Sequence, residues 1–141
     1  MVATLLLPDA LGAQISEEAR AAFPRECCGL IEGVRTGDAV RAVGIHPVHN
    51  VSPDPDRFEI DPAAHLRLRR TAREAGRAIV GCYHSHPNGR PGPSPRDLPG
   101  EKDFLWLIAA LDAHGQLSFA AFVPEENRWR SVSLEVSARA A

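Results

Sequence analysis

Apolar positions along this chain fall mostly into short runs broken by Pro, Gly and Asp, with two longer stretches where they recur at helical spacing. "VATLL" at 2–6 predicts a short strand, and from Pro8 the spacing Leu11, Ile15, Ala19, Ala22 puts an apolar stripe on a helix that ends before Pro24. "CCGLIEG" and "AVRAVGI" predict two strands, and the Gly and Asp of the intervening "VRTGDA" suit an antiparallel hairpin. "HPVHNVSPDPDR" carries three prolines and predicts an exposed loop from His46, leading to a brief extended piece, "FEI".

A second helix is signalled by Asp61 as N-cap, Pro62 at the first helical position and Gly76 as the stop, with Ala64, Leu68, Ala72 and Ala75 inward. Its other face carries Arg67, Arg69, Arg70, Arg73 and Arg77, read as a solvated surface that an acidic protein partner could also use. "AIVGCYHSH" reads as a buried strand and "FLWLIAALD" as a buried strand or a helix. "LSFAAFV" and "WRSVSLEV" read as strands across the turn-like "PEEN". Helices between groups of strands predict an α+β fold, and no repeat or linker divides the chain, so residues 1–141 are expected to form a single domain.

With 141 residues and 44% hydrophobic positions the chain can build a core without staples, so a metal here would serve chemistry more than folding. A net charge of −2 gives no global basic footprint for nucleic acid. The N-terminal apolar run is too short for a signal peptide or a membrane span, which predicts a cytoplasmic protein without a membrane partner. Cys27, Cys28 and Cys82 are an odd count with an adjacent pair, so reduced, mostly buried thiols are expected, Cys28 and Cys82 as core thiols without a neighbouring base.

The chemistry concentrates in "YHSHPNGRPGPSPRD", residues 83–97. On a strand, positions i and i+2 share a face, so His84 and His86 can aim at one point while Ser85 faces away. Pro87 ends the strand, a Gly/Pro-rich loop turns the chain, and Asp97 arrives as a possible third ligand. Two imidazoles, a carboxylate and one open position make a catalytic zinc arrangement, although iron or manganese could use the same donors. A plainer reading accounts for part of it: Ser94 as N-cap, Pro95 at the first helical position and Asp97 at the third are an ordinary helix start. The two are compatible, because a capped turn would also fix the direction of Asp97. An amidohydrolase barrel needs a chain of roughly 200 residues or more, and a cupin-type site would want a glutamate where Arg90 and Pro91 stand. His46, His49, His65 and His114 show no such spacing and are expected in loop or surface roles.

The order "HSHP", six residues, "S", two residues, "D", with a distant glutamate in "FPRECCGLIEG", resembles the JAMM (MPN+) metallopeptidase family, and the likeness runs over roughly residues 5 to 123. The resemblance implies a curved mixed β-sheet flanked by helices. It also implies zinc held by His84, His86 and Asp97, Glu26 as general acid/base through the metal's water, and Ser94 as stabiliser of the oxyanion. Without it Glu26 would rank beside Glu32 and Glu59 as an ordinary carboxylate. The short bacterial members resemble peptidases acting after the C-terminal Gly-Gly of ubiquitin-like sulfur-carrier proteins, which makes such a carrier the expected partner. The compact "LPGEKDFLW" after Asp97 lacks the longer insertions that hold ubiquitin in eukaryotic relatives. Two rivals share the fold: a non-catalytic interaction module, disfavoured because every ligand position is filled, and a DNA-repair-associated branch, disfavoured by the acidic balance.

Overall fold

A computed structural model of the chain describes residues 1–95, 97 and 100–138. Its elements in order are β1 (Thr4–Pro8), α1 (Asp9–Ala22), β2 (Cys28–Thr36), β3 (Ala39–Val48), α2 (Pro62–Glu74), β4 (Ala78–His86), β5 (Leu105–Leu111), β6 (Leu117–Glu125) and β7 (Arg128–Ser137). The α+β order read from the sequence is present, but the sheet is more than curved. β1 pairs in parallel with β3 on one side and β7 on the other, which closes the seven strands into a barrel in the order β1-β3-β2-β4-β5-β6-β7. The β4–β5 pair is also parallel and the remaining pairs are antiparallel, so the sheet is mixed.

Both hairpins with two-residue loops turn on left-handed backbone. Gly37 at φ 64° closes β2–β3, and Glu126 and Asn127 at φ 48° and 65° close β6–β7, the backbone region that two-residue hairpin turns require. α2 begins as expected, with the Asp61 carboxylate accepting from the Ala63 N–H and Pro62 in the first turn. Past α2 the chain turns at Gly76, with φ 76°. α1 has no side-chain cap at Pro8 and is held by packing: Ile15 and Ala19 are fully buried.

Two apolar clusters lie on opposite faces of β4. Tyr83 belongs to the large cluster with Leu5, Leu7, Ile15 and Leu107, whereas Cys82 belongs to a smaller one with Leu30, Ala72 and Ile79 beneath α2, flanked by Phe58, Leu68 and Trp106. The alternation of β4 therefore puts Cys82, His84 and His86 on the α2 side and Tyr83 and Ser85 on the other. Tyr83 fits because Gly29 opposite has no Cβ: one added there would overlap the phenol ring and hydroxyl. The Tyr83 hydroxyl donates to Glu18 of α1 at 2.7 Å, which ties that helix to the strand carrying the histidines.

Three local expectations change. β3 runs through His46 and Pro47 to Val48, so the loop starts later than its prolines suggest. "FLWLIAALD" is strand β5, paired on both sides and buried along nearly its whole length. No helix is seen at Ser94, Pro95 and Asp97; the Asp97 N–H donates to the Ser94 carbonyl in a turn, and Arg96, Leu98 and Pro99 of that stretch lie outside the described residues. Among the described residues no helix is long and apolar enough to cross a membrane.

Candidate functional site

β4 ends at His86, and both histidines of its last turn of pleat point into one spot with Asp97, which the Pro/Gly loop brings back. The Nε2 atoms of His84 and His86 lie 2.9 Å apart, and Asp97 Oδ2 lies 3.3 and 3.2 Å from them. Four-coordinate zinc with bonds of about 2.0–2.1 Å places its ligand atoms about 3.3 Å from one another. The three donors thus already have the spacing such a cation requires. His84 is wholly buried, His86 and Asp97 nearly so, and hard or borderline divalent ions suit this imidazole and carboxylate set.

Each donor is aimed by a neighbour. The His86 Nδ1–H donates to the Arg90 carbonyl at 2.9 Å, leaving the Nε2 lone pair for the site. Phe58 stacks on the His84 ring at 4.2 Å between centroids and Trp106 meets its edge at 5.7 Å. The Ser94 N–H donates to Asp97 Oδ2 at 2.9 Å. Burial would raise the Asp97 pKa, but the two imidazoles beside it and the Ser94 N–H hold it well below the usual carboxylate range. Burial keeps His84 neutral by pushing its pKa down, against the pull of Asp97. At His86 the same burial is outweighed by Asp97 and the Arg90 carbonyl, and the pKa rises. Metal ligation would use both imidazoles neutral and Asp97 ionised, its binding releasing any proton that His86 carries.

Glu26 and Ser94 line one cavity with His86, of about 580 Å³, whose walls include Phe23, Pro55 and Pro87. Glu26 is only 6% exposed. Its backbone is clamped from two sides. The Asn50 amide donates to the Glu26 carbonyl at 3.0 Å, and the next residue, Cys27, donates its N–H to Ser85 Oγ at 2.8 Å while its carbonyl accepts from the Ser85 N–H. Ser85, turned away from the histidines as its parity requires, thereby fixes the Glu26 segment to the histidine strand. Asn50, Ser85 and Phe58 escaped the sequence reading; the alternation placed Ser85 on the opposite face, but nothing local marked its partner.

The structure does not join every other candidate to this site. Glu32, one of the glutamates that ranked with Glu26, accepts from His46 at 2.8 Å and Arg77 at 3.0 Å. His46 is therefore a paired residue of β3, and His65 a residue of α2 that accepts from Arg69 Nε at 2.9 Å, contrary to the loop or surface roles expected of them. His49 and His114 are exposed and outside regular elements. All three thiols are unpaired to one another. Burial, with the Glu18 charge adding to it, pushes Cys27 up to about 11, and burial with nearby anionic groups pushes Cys28 up to about 12 and Cys82 further, so none is primed as a nucleophile.

A family model of prokaryotic homologs of the JAB domain matches residues 8–132. The chain belongs to this family, and with it to the JAMM/MPN-like prokaryotic peptidases. Among its relatives are a desampylase of Haloferax volcanii, 34% identical over 79% of this chain and 80% of that protein, and a desampylase of Pyrococcus furiosus, 30% identical over 79% and 76%. A probable TtuB-protein conjugate cleaving protease of Thermus thermophilus is 35% identical over 60% of this chain and 53% of its own length. A solution structure of a Desulfitobacterium hafniense protein superimposes with a TM-score of 0.83 at 25% identity, covering 96% of this chain and 94% of that one.

Proposed function

We infer that the protein is a zinc-dependent peptidase or isopeptidase that cuts the amide bond following the C-terminal Gly-Gly of a ubiquitin-like sulfur-carrier protein. The observation that carries this is the clutch of His84, His86 and Asp97 donors beside a cavity shared with Glu26 and Ser94. The names of the desampylases and the TtuB-conjugate protease support the substrate class.

His84, His86 and Asp97 hold the cation, which when bound supplies Lewis acidity and lowers the pKa of water toward neutrality. Glu26, fixed by Asn50 and by the Cys27–Ser85 pair, takes the proton of the attacking water and returns it to the leaving amine. The Ser94 hydroxyl donates to the carbonyl oxygen as it gains negative charge. Burial of the two imidazoles and the aromatic pair Phe58 and Trp106 limits water around the donors and sharpens these charges. Glycines suit the acyl side because only an unbranched extended backbone passes close to such a cluster. The leaving group is cysteine or another amine carried on the tail, and three unpaired cysteines support a cytoplasmic setting.

Zinc-loaded protein mixed with carriers extended beyond Gly-Gly, followed by mass spectrometry, tests the reading directly. Trimming to the Gly-Gly terminus that a chelator abolishes and zinc restores is expected. Inert behaviour toward every extended tail by metal-loaded protein would contradict it.

A further inference from the structure

The arginines of α2 have no part in the mechanism above. Residues 62–77 carry five arginines against one glutamate in a chain of net charge −2, so positive charge is segregated onto this segment and the remainder is acidic. Arg69, Arg73 and Arg77, spaced four apart, line one cavity of about 380 Å³ with Ala78 and Ile79. Its two ends are anchored. Arg77 donates to Glu32 at 3.0 Å, and Arg69 donates to His65, meets Glu101 at 3.3 Å and lies over the Phe104 ring at 5.2 Å. Between them the Arg73 guanidinium has no hydrogen bond or ion pair among the described residues. Like charges at this helical spacing repel, and a cationic groove with a central guanidinium left unmatched is complementary to carboxylates.

The groove lies next to a cavity that reaches the candidate site, with Arg69 between the two. His65 and Phe104, both touched by Arg69, also line a cavity of about 290 Å³ that reaches Asp97. On the outer side the charge continues through Arg70, and Leu66 is 65% exposed on the same helix, a larger and less uniformly polar surface than a small anion needs.

We propose that this groove docks an acidic face of the folded domain of the carrier, so that the tail leaving that domain enters the cavity beside Asp97; this rests on the peptidase reading above. The charges act on encounter and affinity, and the chemistry stays with the site.

Two substrates separate docking from catalysis: an acidic ubiquitin-like carrier ending in Gly-Gly and joined by an isopeptide to a lysine reporter, and a short Gly-Gly-lysine isopeptide with no folded domain. Arg73→Glu and Arg70→Glu, checked for unchanged thermal unfolding, are expected to raise KM for the carrier conjugate on the order of tenfold. Its kcat and the kcat/KM of the short isopeptide should stay within about twofold, and added salt should shrink the difference. Calorimetric binding of the unconjugated carrier should weaken by the same factor, and reversing acidic residues on the carrier should restore it. Equal carrier binding by wild type and both variants, or an equal loss on the short isopeptide, would overturn the proposal. Charge-dependent binding without cleavage of either substrate would uphold docking and strike the peptidase reading alone.

Discussion

His86 reaches its partners because the far nitrogen of its ring is committed to the Arg90 carbonyl, while Glu26 is set by backbone bonds to Asn50 and Ser85. On the roles proposed, Glu26→Gln removes a proton carrier and leaves the three donors untouched. It should bind one zinc as the wild type does and lose on the order of 100-fold or more in turnover. Ser85→Ala removes the acceptor for the part-buried Cys27 N–H and should lower stability by about 1–2 kcal/mol in urea unfolding, with a fall in turnover as Glu26 loosens. The histidine pair was legible because a two-residue period on a buried strand leaves no other geometry. Asp97 needed the loop to turn back, and Glu26 had no local mark at all: its place depends on a contact between β2 and β4 across more than fifty residues. Phe58 was invisible for the same reason, since its stacking on His84 is purely tertiary.

At the scale of elements, close strand approach sets the face on which the histidines emerge. Gly29→Ala would drive a methyl into the buried Tyr83 ring on the neighbouring strand, and neither backbone can retreat without breaking a ladder. A loss of about 3 kcal/mol is expected, from overpacking at the upper end of its usual range, read as a fall of several degrees in Tm, together with weakened zinc binding as β4 shifts. The helices were legible from caps and period, α2 from Asp61 and Pro62 above all. β3 was cut short in the sequence because proline usually ends a strand. Pro47 is tolerated because β1 pairs β3 only at Ala39, Val40 and Arg41, so that the far end of β3 is an edge and needs no donor on that side. β5 was ambiguous because a run buried on both faces has no alternation to separate strand from helix.

Over the whole molecule, closure was the part the sequence did not disclose. It depends on a short first strand joining β3 to β7, a pairing between the two ends of the chain that no local pattern encodes. The polar counterpart of that closure is Glu32, which links β2 to His46 on β3 and to Arg77 at the entry to β4. Burial would raise its pKa, but His46 and Arg77 together lower it. A carboxylate whose folded value lies below its unfolded one contributes stability above about pH 4.3 and loses it as the pH falls through the folded value. Urea unfolding should therefore find Glu32→Gln about 1 kcal/mol less stable than wild type near pH 6, a modest figure because Arg77 is half exposed, with the gap closing below pH 4. A gap that persists or widens in acid would contradict this assignment.

The proposed chemistry requires a single cation held by His84, His86 and Asp97, and elemental analysis after equilibration with zinc and removal of loosely bound metal measures that directly. One zinc per chain is expected in the wild type and in Glu26→Gln, and essentially none in an Asp97→Ala protein whose circular dichroism shows it folded. A wild type that retains no zinc, or an Asp97→Ala protein that retains a full equivalent, would contradict it.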